Sequence, residues 1–144
     1  MKMREIEFRL FSKERNKMIF SNKGWFYKAF VSEKGVLQHI RIDVALENPD
    51  RVIVMQYTGL KDKDGKKIFE GDIIFHEKFE EHSEIAYFER GMCFIGLPVE
   101  KEVREDYLKG HVHYLDLTCE NLQISKCKVV GNIYENPELL EESK

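Results

Sequence analysis

Asp62, Asp64 and Gly65 sit together in the stretch Gln56–Ile74, QYTGLKDKDGKKIFEGDII, and oxygen ligands at that spacing raise the question of calcium. An EF-hand loop beginning at Asp62 would need glycine at its sixth position and a carboxylate at its twelfth. Those positions hold Lys67 and Ile73, so the cluster reads as a turn. Glu70 and Asp72 form a second carboxylate pair. Acid–base work would need surroundings that separate their pKa values, and nothing in the sequence supplies them. His111 and His113 share a face if they lie on a strand. A stable metal site needs a third ligand, and His76, His82 and the cysteines follow no metal spacing. Lys61, Lys63, Lys66 and Lys67 could touch phosphates, but aspartates alternate with them and cancel most of the field. Trp25, Phe26 and Tyr27 could stack on bases. Successive strand residues point to opposite faces, so only Trp25 and Tyr27 share one, and core packing is the better reading. No Walker loop, dinucleotide fingerprint, nucleophile elbow or HExxH occurs. No serine or cysteine has a nearby histidine to activate it. The expected inventory is therefore no catalytic residue, no cofactor and no metal.

The bulk composition agrees with that inventory. A chain of 144 residues that is 42% hydrophobic is one domain in length and can bury a core without disulfides or metals. Its 23 basic and 26 acidic residues leave a net charge of -3, which gives no long-range attraction to nucleic acid or an anionic membrane. Cys93, Cys119 and Cys127 are odd in number and lack CxxC spacing, as expected of reduced thiols in a cytoplasmic protein. The N-terminus MKMREIEFRLF has no apolar signal core, and no window reaches the roughly 20 apolar residues of a membrane span.

The positioning elements follow from periodicity. Ile6, Phe8 and Leu10 alternate with Glu7 and Arg9, so residues 4–11 read as a strand with one buried and one wet face. A loop of about five residues returns the chain into a strand at Lys17–Phe20. Strands are also expected at 25–31 and 36–44, and Val52–Met55 reads as a strand buried on both faces. Asp64-Gly65 should make a tight hairpin, and Glu70-Gly71-Asp72 a corner where glycine bends and aspartate accepts loose N–H groups. Phe79–Ser83 reads as a polar connection, followed by short strands at Ile85–Glu89 and Met92–Leu97 hinged at Arg90-Gly91. Glu100–Lys109 fits a short helix ended by Gly110. Cys127–Tyr134 is a closing strand with Gly131 as a bulge or tight contact, and Asn136-Pro137 starts a last short helix with Asn136 as N-cap. The sum is a single domain over 1–144 and a mainly β, barrel-like fold of many short antiparallel strands with one or two short helices.

Three segments in order resemble the YopX family. Arg4–Arg9 with Asn16-Lys17-Met18 is similar to its start, Met55–Ile74 to its central signature, and Val130–Leu140 to its C-terminal signature. Leu10 stands where an aromatic is frequent, and Phe69 replaces the commoner tyrosine. The signature positions are Gln56, Tyr57, Thr58, Gly59, Leu60, Asp64, Gly65, Glu70, Gly71, Asp72, Gly131, Asn132, Tyr134, Asn136 and Pro137. The resemblance implies a β-rich protein encoded by phages and prophages of Gram-positive bacteria, and it supplies no activity.

These readings together lead to a non-enzymatic accessory protein in the host cytoplasm. It would act through contacts with phage or host proteins, as a homo-oligomer that covers strand edges and exposed aromatics. The alternative is a nucleic-acid-associated module, favoured if Lys61, Lys63, Lys66, Lys67, Arg41, Arg51 and Arg90 converge on one face.

Overall fold

The structure, a computed structural model, describes residues 5–20, 50–111 and 126–141. The strands expected at 25–31 and 36–44, with Trp25, Tyr27 and Arg41, lie outside these residues, as does His113. The chain divides into two compact units, residues 1–57 and 58–144. The fold is mainly β, with two antiparallel sheets, one of them curled into a half-barrel.

In the first unit, β1 (Phe8–Ser12) pairs antiparallel with β2 (Lys17–Phe20) and with the first half of β3 (Val52–Lys61). The β1–β2 loop is Lys13–Asn16, closed by Asn16 in the left-handed region at φ 47. Asparagine tolerates that conformation better than most residues. Leu10 is fully buried, and Phe8, Ile19, Val52 and Val54 pack on it. The alternation expected of β1 does not hold. The strand begins at Phe8, so Ile6 lies outside it and is exposed, and Arg9 is buried against Met55, its Nη2 3.7 Å from the sulfur. Val52, Ile53 and Val54 are only half-buried, so the continuous apolar run does not mark a strand enclosed on both faces.

In the second unit, β3 turns into β4 (Lys67–Phe69). A four-stranded sheet follows, in the order β7-β6-β5-β8. Its strands are β5 (Asp72–His76), β6 (Glu81–Phe88), β7 (Cys93–Pro98) and β8 (Cys127–Asn132). One face carries Ile74, Ile85, Cys127 and Val129, packed with Ile68, Leu60 and Phe94. The other carries Ala86, Ile95 and Leu97, covered by Val103 and Tyr107 of helix α1 (Lys101–Leu108). Burying one such aliphatic side chain contributes about 1.5–3 kcal/mol. The helix is also tied down by Arg104 to Glu84 at 2.8 Å and by the Tyr107 hydroxyl donating to the Tyr87 carbonyl at 2.7 Å. It ends as expected at Gly110. The Gly110 N–H donates to Tyr107 and the His111 N–H to Asp106, which satisfies the last carbonyls.

β6 begins at Glu81, four residues before the expected start at Ile85. The polar residues Glu81, His82 and Ser83 extend the strand because His76, Phe75 and Ile74 of β5 pair with them. The connection shrinks to Glu77–Glu80, where the N–H groups of Phe79 and Glu80 both donate to the His76 carbonyl. The last helical turn, Pro137–Leu140, is 3-10 rather than α, and Asn136 makes no side-chain cap.

Candidate functional site

The signature stretch has its centre at a residue that sequence reasoning placed in the turn but not among the signature positions. Asp62 is buried, and its carboxylate accepts three backbone N–H groups. Oδ1 takes those of Asp64 and Lys66, each at 2.9 Å. Oδ2 takes that of Val129, 67 positions away, also at 2.9 Å. The Lys63 N–H adds a bond to the Cys127 carbonyl at 3.1 Å. The turn therefore covers the outer edge of β8, a strand edge that would otherwise present unpaired backbone groups. The turn itself differs from the tight hairpin expected. The Gly65 N–H donates to the Asp62 carbonyl, Asp62 and Lys66 pair, and only Gly65 has positive φ, at 82°. This is a type I turn closed by a left-handed glycine. Aspartate is favoured at the first position of such a turn, which is the signal that could have singled out Asp62.

The other signature residues make a second junction. Gly71 has φ 82, donates its N–H to Ile85 and accepts one from Ile133. Asp72, almost fully buried, accepts the Phe69 N–H at 2.8 Å, as the corner reading expected. Asn132 accepts the N–H groups of Tyr134 and Glu135 and donates to the Glu135 carboxylate. Its own N–H reaches Asn136 Oδ1 at 3.3 Å. The register of β5 and β8 shifts between Ile73 and Ile74, which leaves Val130 unmatched beside Gly131. Gly131 is both bulge and tight contact: a Cβ there would lie 2.5 Å from Asn136 Oδ1. Thr58 donates to the Ile68 carbonyl at 2.8 Å, Gly59 has φ 90, and Leu60 joins the core. In the first unit Gln56 pairs with Phe8, and the buried Tyr57 donates its N–H to Glu7. Asp64 and Pro137 are exposed, and Glu70 and Tyr134 half-buried. Of these, Thr58, Asp72, Asn132 and Asn136 fasten backbone groups through their side chains, and Tyr57 and Gly71 do so through their own N–H groups.

Two ends of the second sheet carry surface features. At one end Lys63 bonds Glu77, and Lys126 and Lys128 also act on that carboxylate. The Lys63 hydrogen bond is the main cause that holds Glu77 below the usual carboxylate range, and the same bond raises Lys63. Lys61 and Lys66 are exposed and Lys67 is half-buried. At the other end the β6–β7 turn, Glu89–Met92, bonds to the end of α1 through Arg90 Nη1 and the Gly110 carbonyl at 3.4 Å. Met92 and Leu108 are 81% and 82% exposed there. In the first unit Arg51 pairs with Glu14 at 3.0 Å. His111 is exposed. Burial, then His82, lowers the pKa of His76, and burial pushes the Cys127 thiol up to about 11. Among the described residues no group of three or more His, Cys, Asp or Glu could hold a metal, and no helix is long and apolar enough to cross a membrane.

Known proteins extend this picture. Residues 7–141 match the family described as YopX protein. A crystal structure of protein EF1440 from Enterococcus faecalis is similar, with 26% identity and a TM-score of 0.58, covering 96% of this chain and 100% of that one. No curated protein matches.

Proposed function

Since this chain belongs to the YopX protein family, we propose that it is a non-enzymatic module that acts through protein contacts, a second copy of itself among them. The proposed setting is the cytoplasm of a bacterium that carries the phage or prophage; it comes from the family resemblance. The observation that carries the contact reading is the exposure of Met92 and Leu108, 81% and 82%, on a turn and a helix end joined by Arg90 and Gly110. Large apolar side chains grouped on a surface mark places where another protein covers them. Tyr87, 39% exposed and stacked edge-on against Phe94 at 5.3 Å, lies on the strand that enters this turn. No residue has a catalytic, cofactor-binding or metal-binding role in this reading.

Light scattering after size exclusion, on the full chain and on Met92→Glu/Leu108→Glu, tests it. The expected result is a discrete oligomer that becomes monomeric in the variant at unchanged melting temperature. A wild-type chain that stays monomeric across concentration, and that captures the same cell proteins as the variant, would overturn the reading.

A further inference from the structure

The end of the second sheet opposite Met92 and Leu108 has a different chemistry. Three connections meet there: the Asp62–Gly65 turn, the Glu77–Glu80 turn and the start of β8. The Lys63 N–H donates to the Cys127 carbonyl, and the Lys63 ammonium bonds Glu77. Cys127 pairs with His76 and Lys128 with Phe75, so Lys126 and Lys128 flank the point where β5 runs into Glu77. Lys78 lies over the Phe79 ring, 5.4 Å from its centroid, and Phe79 is 55% exposed. An exposed aromatic face beside clustered cations is the combination that holds single strands: phosphates on lysines, bases on rings. It is a different set from Lys61, Lys63, Lys66 and Lys67, sharing only Lys63.

We propose that Lys63, Lys78, Lys126, Lys128 and Phe79 form a surface for single-stranded nucleic acid, with Glu77 taking the place of a phosphate in the free protein. Glu80 on the same connection and Glu81 at the start of β6 are exposed, so the positive field is local. With a net charge of -3, the chain offers no long-range steering, and binding is weak and steeply salt-dependent. Entry of a strand exchanges the Lys63–Glu77 pair for Lys63–phosphate.

Fluorescence anisotropy with short labelled oligothymidine and oligouridine tests this on the full chain. Four phosphate contacts, one per lysine, predict a loss of affinity of about fiftyfold between about 50 and 200 mM salt. Glu77→Gln should tighten binding about threefold by removing the competing charge, and Lys126→Gln/Lys128→Gln should weaken it about tenfold. Phe79→Ala should cost about fivefold or more. These side chains are at the surface, and an unchanged melting temperature for each variant excludes misfolding as the cause. No binding at low salt, equal competition by polyglutamate, or an affinity indifferent to Glu77 and Phe79 would each overturn the proposal.

Discussion

The second unit reverses its chain in two contrasting ways. At Asp62–Lys66 the turn is held from inside by a buried carboxylate that bonds its own loop and the Val129 N–H of a distant strand. At Glu89–Met92 the turn is held by a local bond from the Met92 N–H to the Glu89 carbonyl and, on its surface, by Arg90. The first has glycine where φ is positive; the second has Met92 there, at φ 51 and almost fully exposed. The left-handed Met92 closes the Glu89–Gly91 turn with its N–H, while its side chain gains no burial there. The contrast separates a turn that builds the sheet from one free to serve as surface.

The largest effect should come from Asp62→Ala. It leaves three N–H donors without their acceptor, the Val129 N–H on a buried residue, and should cost about 3 kcal/mol in urea unfolding of the full chain. Asp62→Asn should lie between, because its oxygen can keep the two local bonds while its NH2 faces the Val129 N–H. Equal stability of Asp62→Ala and wild type would erase the distinction between the turns. Gly131→Ala comes next, at about 2 kcal/mol, since the new methyl meets Asn136 at 2.5 Å. Asn136→Gly in the same chain should recover part of that loss. If it recovers none, the strain lies elsewhere. Gly65→Ala meets nothing within 4 Å, so only its φ of 82° matters, and the expected cost is about 1 kcal/mol.

How much of this was legible follows from the range of each interaction. Local chemistry was readable: the two glycine reversals, the Gly110 helix stop, the close contact of Gly131 with Asn136 and the strand that begins at Lys17 depend largely on neighbours a few positions apart. The burial of Arg9 was not, because its partner Met55 is 46 positions away. Nor was the role of Asp62, whose acceptor function is local at Oδ1 but reaches Val129 through Oδ2. The early start of β6 was hidden because Glu81, His82 and Ser83 look like a loop until β5 pairs with them. Surface groupings were the least legible. Lys63 meets Glu77, and Arg90 meets Gly110, only after the hairpins close.

His76 offers a milder test on the anchored side, where it pairs with Cys127 of β8 and with Glu81 of β6. Burial, then His82, lowers its pKa below the ordinary 6.5. The unfolded chain therefore binds more protons than the folded one between those two pKa values. Its contribution to stability is complete above 6.5 and is lost as the pH falls through the folded value. Urea midpoints should decline from pH 7.5 to pH 5.5, and His76→Gln should flatten the decline. An identical slope in that variant would assign the effect to other groups.

Met92→Gly has the smallest expected effect and the opposite sign. The left-handed conformation costs a non-glycine residue about 1–2 kcal/mol, and glycine removes that cost. Glycine also gives the unfolded chain more freedom, which offsets about 0.5–1 kcal/mol. Met92 is 81% exposed, so little burial is lost. The net expectation is a gain of about 0.5 kcal/mol, read as a higher urea midpoint. Self-association should weaken at the same time, because the side chain that a partner would cover is gone. A variant both more stable and less associated would show that Met92 is kept for contact at the expense of fold. If Met92→Gly instead lowered stability as far as Asp62→Ala, the β6–β7 turn would be a structural fastener too, and the exposed methionine would have to be reassigned to the packing of α1.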